Sequence, residues 1–113
     1  MDSARILAGA NLGADGAVGG SGADSDTYGA GAIGSVKIAG AITSSFIGAG
    51  VDPVDQTFGN ADDTLAGTAA SDSIKSITAK SADQATRFEA GAFGKALLPK
   101  TINVTQDPRF KVL

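Results

Sequence analysis

The chain has no cysteine and no histidine. Without cysteine there is no disulfide framework, no thiolate metal site and no thiol nucleophile. Without histidine the usual general base near neutral pH is missing, and so is the commonest metal ligand. Tryptophan is absent and Tyr28 is the single tyrosine. Basic residues are few, nine Lys and Arg against twelve acids, for a net charge of −3. That balance excludes nucleic acid as an expected partner, because phosphate binding needs clustered Lys and Arg. No apolar run approaches the roughly 20 residues of a membrane-spanning helix, so membrane insertion is not expected. Met1–Arg5 has no signal-peptide profile.

Large apolar side chains are also scarce. Ile, Leu, Val and Phe together number 25 of 113 residues, against 21 alanines and 16 glycines. A conventional core of bulky residues is therefore thin for what has room to be one small domain. Such a chain needs either a repetitive stack of narrow rungs or partner chains to complete its burial.

What is present in abundance is self-similarity. Ile6-Leu7-Ala8-Gly9 matches Ile47-Gly48-Ala49-Gly50 and Phe88-Glu89-Ala90-Gly91, each 41 residues apart. Ile33-Gly34-Ser35-Val36-Lys37-Ile38 matches Ile74-Lys75-Ser76-Ile77-Thr78-Ala79 at the same spacing. A related block, Phe93-Gly94-Lys95-Ala96-Leu97-Leu98, follows Ile74 after only 19 residues. The 41-residue period thus divides into a unit of about 19 residues and an insertion of about 22. Residues 10–32 and 51–73 carry the insertion, each 23 residues long.

Val36 and Ile38 alternate about Lys37, β-branched residues dominate the apolar runs, and no segment keeps a 3.6-residue stripe. These features predict an all-β chain. Specifically they predict a parallel β-helix (β-solenoid) of about 19-residue coils over residues 1–100, with two 23-residue acidic loop insertions. Residues 101–113 break the repeat and are expected to be a C-terminal cap or tail. In a solenoid Val36, Ile77 and Ala96 form one ladder, and Ile47 and Phe88 another. A small antiparallel sandwich is the competing architecture.

Charge is segregated. The two insertions hold eight aspartates and no Lys or Arg, while the rest of the chain holds all nine basic residues and four acids. The insertions also resemble one another: Asp15-x-x-Val18-Gly19 matches Asp55-x-x-Phe58-Gly59, and Ala23-Asp24-Ser25-Asp26-Thr27 matches Ala61-Asp62-Asp63-Thr64. Closely spaced oxygen donors with glycine bends suit a hard cation, calcium above all, which takes 6–8 oxygens in flexible geometry. The candidate ligands are Asp15, Asp24, Asp26, Asp52, Asp55, Asn60, Asp62 and Asp63. No stretch fits an EF-hand loop. A solvated loop that keeps the chain soluble explains the same pattern, as does a patch for a basic partner.

Gly29-Ala30-Gly31-Ala32-Ile33-Gly34 fits G-x-G-x-x-G, but an acidic loop precedes it and no helix follows, so turn glycines explain it. The run Ile33–Gly50, continued by Val51-Asp52-Pro53-Val54-Asp55 and Phe58-Gly59-Asn60-Ala61-Asp62-Asp63, resembles Gly-rich repeat segments of very large bacterial surface and secreted proteins of the adhesin or autotransporter type. That resemblance implies an extracellular or cell-surface setting, a structural or adhesive role and no catalysis. The expected partners are further copies of the chain, in a homo-oligomer or a filament joined through open solenoid ends, and a surface glycan or protein. The competing function is a fragment of a carbohydrate-active β-helix enzyme, for which Asp62 and Asp63 would be the carboxylates.

Overall fold

A computed structural model describes residues 1–113 except the side chain of Asp24. The chain is all-β, and its strands are short, two to six residues each. Glycine accounts for part of that shortness. Gly9 and Gly50 follow equivalent strands with φ of 89° and 64°, a left-handed backbone that turns the chain sharply.

The largest sheet has four parallel strands in the order β1 (Arg5–Ala8), β6 (Phe46–Ala49), β11 (Arg87–Ala90) and β13 (Phe110–Val112). Ile6 pairs with Ile47, Ile47 with Phe88, and Phe88 with Phe110. A second parallel sheet joins β4 (Val36–Lys37), β9 (Ser73–Thr78) and β12 (Ala92–Leu97), pairing Val36 with Ile77 and Ile77 with Ala96. A third holds only β5 (Ala41–Ile42) and β10 (Ser81–Ala82). The two insertions close as antiparallel pairs, β2 (Ala10–Asn11) with β3 (Thr27–Tyr28), and β7 (Val51–Asp52) with β8 (Thr64–Leu65).

The expected parallel β-helix is corrected by this arrangement. The sheets are small and separate, of two to four strands, and they mix parallel with antiparallel pairing. No uniform 19-residue coil exists either. The step from Ile77 to Ala96 is 19 residues, whereas that from Phe88 to Phe110 is 22. The 41-residue period sets the register of paired strands without building a continuous solenoid. The physical reason is that strands of two to six residues end at turns before longer ladders can form.

The core lies between the parallel sheets. Ile42, Ile47, Ile74, Ile77 and Phe88 are all buried. Phe110 stacks on Phe88 at 4.5 Å between ring centroids and meets Phe93 edge-on at 5.3 Å. Residues 101–113 therefore contribute a buried aromatic as well as the fourth strand of the main sheet. Each such ring removes enough apolar surface to stabilise the fold by about 1.5–3 kcal/mol.

Polar links tie the repeats together where apolar area is short. Asp72 is fully buried, and its carboxylate accepts hydrogen bonds from the amides of Gly31 (3.0 Å) and Gly67 (2.7 Å) and from the Ser71 hydroxyl (3.1 Å). Asp83 does the same at a corner, accepting from the Ser44 amide and from the Thr86 hydroxyl at 2.7 Å. The hydrogen bond from Thr86 and that from the Ser44 amide hold the Asp83 carboxyl below the usual carboxylate range.

A candidate cation site in the second insertion

The second insertion leaves β7 through two Asx turns, in which a side-chain oxygen accepts an amide two residues on. Asp52 Oδ1 accepts from the Val54 amide at 2.9 Å, and Asp55 Oδ1 from the Thr57 amide at 2.9 Å. Phe58 then packs on Phe46 of β6 at 5.0 Å and on Tyr28 at 5.9 Å, pinning the insertion to the main sheet. The returning arm is fastened by the Gly59 amide, which donates to Asp63 Oδ2 at 2.6 Å. Asn60 Nδ2 donates to Asp55 Oδ2 at 2.8 Å, and Lys111 Nζ of β13 donates to the Asn60 carbonyl at 2.9 Å.

This folding gathers Asp55, Asp62 and Asp63, whose carboxylates each place an oxygen within 4.8 Å of the others. That separation is about twice a calcium–oxygen bond, so one ion between the three could touch them all. Asp55 and Asp62 are exposed, whereas Asp63 is 4% exposed. Asn60 Oδ1 is buried with no hydrogen-bond partner among the described residues, and Asp63 Oδ1 is buried with none except a proton on the neighbouring Glu89. A buried acceptor without a donor costs about 1–3 kcal/mol, and a cation would relieve it.

Beside Asp63 lies Glu89, on β11 and 1% exposed, whose Oε2 lacks a partner among the described residues only while the carboxyl is ionised. Burial pushes its carboxyl up to about 8, helped by a hydrogen bond with Asp63 and by the Asp63 charge; Lys111 and Arg87 oppose the rise. Glu89 stands outside the set of acids picked from the sequence. Its signal was available: it is the chain's one glutamate, in the otherwise apolar Phe88-Glu89-Ala90.

The first insertion repeats the local wiring. Asn11 Oδ1 accepts from the Gly13 amide at 3.0 Å, and Asp15 Oδ1 from the Ala17 amide at 3.0 Å. Asp26 Oδ2 accepts from the Gly19 amide at 2.5 Å and from the Tyr28 hydroxyl at 3.1 Å, and its Oδ1 is buried without a partner among the described residues. Burial, followed by the hydrogen bond to Asp26, raises the Tyr28 hydroxyl to about 12. Gly19 and Asp26 thus play the parts of Gly59 and Asp63. Among the described residues, however, Asp15 and Asp26 join no group of three acids. Asp52 serves its Asx turn and is not in the cluster. The Asp24 side chain lies outside the described residues.

No family model matches the chain, and neither a curated protein nor a solved structure matches it.

Proposed function

We propose that this chain is a non-catalytic structural module whose second insertion is held closed by a hard divalent cation, calcium in the first place. One observation carries the reading: three carboxylates converge within 4.8 Å, and beside them the buried Oδ1 of Asn60 has no donor among the described residues. A calcium ion coordinated by Asp55, Asp62, Asp63 and Asn60 would neutralise the repulsion among these acids. It would also tie the insertion to the main sheet, because Asn60 is bonded to Lys111 of β13.

Two exposed carboxylates make the site open and of modest affinity. Such sites suit settings where free calcium is high, as outside a cell, and extracellular calcium modules bind at about 10⁻⁴–10⁻³ M. An extracellular or cell-surface structural role, adhesive towards a glycan or protein, is therefore the setting that fits this chemistry. Self-association belongs to the same reading. The outermost strands of the main sheet, β1 and β13, each have an edge free to pair with another copy.

The deciding experiment is thermal unfolding in EDTA and in millimolar calcium. A ligand that binds the folded chain raises its stability by mass action. A melting temperature that rises with calcium and saturates supports the reading, and an unchanged one rejects it. Light scattering across a concentration series checks self-association, and a monomer at all concentrations removes that part.

A further inference from the structure

A cavity of about 380 Å³ opens where equivalent corners of the repeat stack. Ser3, Ser44 and Ala85, spaced 41 residues apart, form one edge, and Arg5, Phe46 and Arg87, spaced likewise, form the next. Phe46 is the direct sheet partner of both arginines. Phe58 and Gly59 of the second insertion supply the facing wall.

The lining carries two guanidinium groups and no carboxylate, in a chain of net charge −3. The acids at its rim are already hydrogen-bonded: Asp2 accepts from the hydroxyls of Thr43 and Ser3 at 2.7 and 3.3 Å, and Asp83 from the Ser44 amide and the Thr86 hydroxyl. Arg5 is exposed, and its side chain has no hydrogen bond or ion pair among the described residues. Arg87 directs Nη1 to the carbonyls of Gln84 and Thr86, at 2.5 and 2.9 Å, which fixes its guanidinium in place. Ser3 and Ser44 hold φ of 49° and 47°, a left-handed backbone that side-chain-bearing residues adopt at a cost. Such strained positions concentrate at binding sites.

We propose that this groove binds an acidic sugar chain through its carboxylates. Arginine forks match carboxylate geometry and form charge-assisted bidentate hydrogen bonds. The Cα positions of Arg5 and Arg87 lie two strand spacings apart, about 9.5 Å, so a ligand with acid groups at intervals along its length engages both. Half-buried Phe58, backed by buried Phe46, offers an apolar edge for the C–H side of a sugar ring, and the Ser44 hydroxyl offers a partner for one of its hydroxyls. An acidic peptide has the carboxylates but neither the ring face nor the hydroxyls. The proposal does not depend on a cation in the second insertion.

The test is calorimetric titration of the full chain with an oligogalacturonate at low salt. Parallel titrations use a neutral oligosaccharide of equal length, poly-glutamate and inorganic sulfate. Oligogalacturonate is expected to bind, the neutral sugar not at all, and poly-glutamate and sulfate at least about tenfold more weakly. Arg5→Gln is the primary variant because Arg5 holds nothing else in the fold, and about a tenfold loss of affinity is expected. Arg87→Gln should lose as much, and its melting curve reports whether it is still folded. Three outcomes overturn the proposal: no binding of oligogalacturonate, undiminished binding by Arg5→Gln, or equal affinity for poly-glutamate or sulfate.

Discussion

Asp72 reaches back 41 residues to accept the amide hydrogen of Gly31 at 3.0 Å, so the end of one insertion holds the end of the other. Its second oxygen accepts from Gly67 at 2.7 Å, within its own insertion. The carboxylate is fully buried, and Gly50 makes room for it, since a Cβ on Gly50 would overlap the carboxylate group.

Replacing Asp72 with Ala should therefore be among the costliest single changes in the chain. It removes a fully buried carboxylate and its hydrogen bonds from the amides of Gly31 and Gly67, each such charged bond contributing about 1.5–3 kcal/mol. A loss of roughly 3 kcal/mol or more is expected in urea unfolding. Asp72→Asn keeps the shape and one acceptor but turns an amide donor towards a backbone donor. It should fall between wild type and Asp72→Ala.

The tail offers a second test of what supports the fold. Phe110 stacks on Phe88 and is 7% exposed, although it lies beyond the last recognisable repeat. Phe110→Ala opens a cavity next to Phe88 and Phe93, and a loss of about 3–5 kcal/mol follows from comparable core truncations. A fraying tail would give a loss within about 0.5 kcal/mol, as surface changes do. Chemical denaturation of the variant separates these outcomes.

These contacts show which parts of the structure could be read from the chain. Ile6, Ile47 and Phe88 carry the same kind of side chain at one spacing, and they do pair across the main sheet. Val36, Ile77 and Ala96 pair in the same way. The division into separate small sheets was not visible, because it depends on corners such as Ser3 and Ser44, whose left-handed backbone no glycine announces. The candidate site was legible in part. Asp55, Asn60, Asp62 and Asp63 are close in sequence and come together, whereas Asp15 and Asp26 have the same turn chemistry and gather no third acid among the described residues. Glu89 escaped because strand alternation turns it away from the core, and only the insertion folding across the sheet buries it.

Asp62 distinguishes cation binding from loop stability. It is exposed and belongs to the carboxylate cluster, and it makes no hydrogen bond through its side chain among the described residues. Asp62→Asn should leave the melting temperature in EDTA nearly unchanged, since surface substitutions usually stay within about 0.5 kcal/mol. The calcium-dependent rise should shrink in the same variant, because a charged ligand has become neutral. An undiminished rise would mean that calcium, if it acts, binds elsewhere.

Glu89 makes the stability of the cation-free chain depend on pH in an unusual direction. Its carboxyl titrates at about 8 in the folded chain against an ordinary value of 4.5, so the folded state holds the proton more tightly than the unfolded one. The contribution is fully present below about pH 4.5, declines as pH rises and is gone above about pH 8. Asp83, whose carboxyl is lowered, acts oppositely by losing its contribution as pH falls below the usual carboxylate range. Urea unfolding in EDTA at steps between pH 5 and pH 8 should show stability falling across this window. In Glu89→Gln, which keeps a neutral hydrogen-bonding side chain next to Asp63, the slope should flatten. A slope of equal size in the variant would assign the titration to another group.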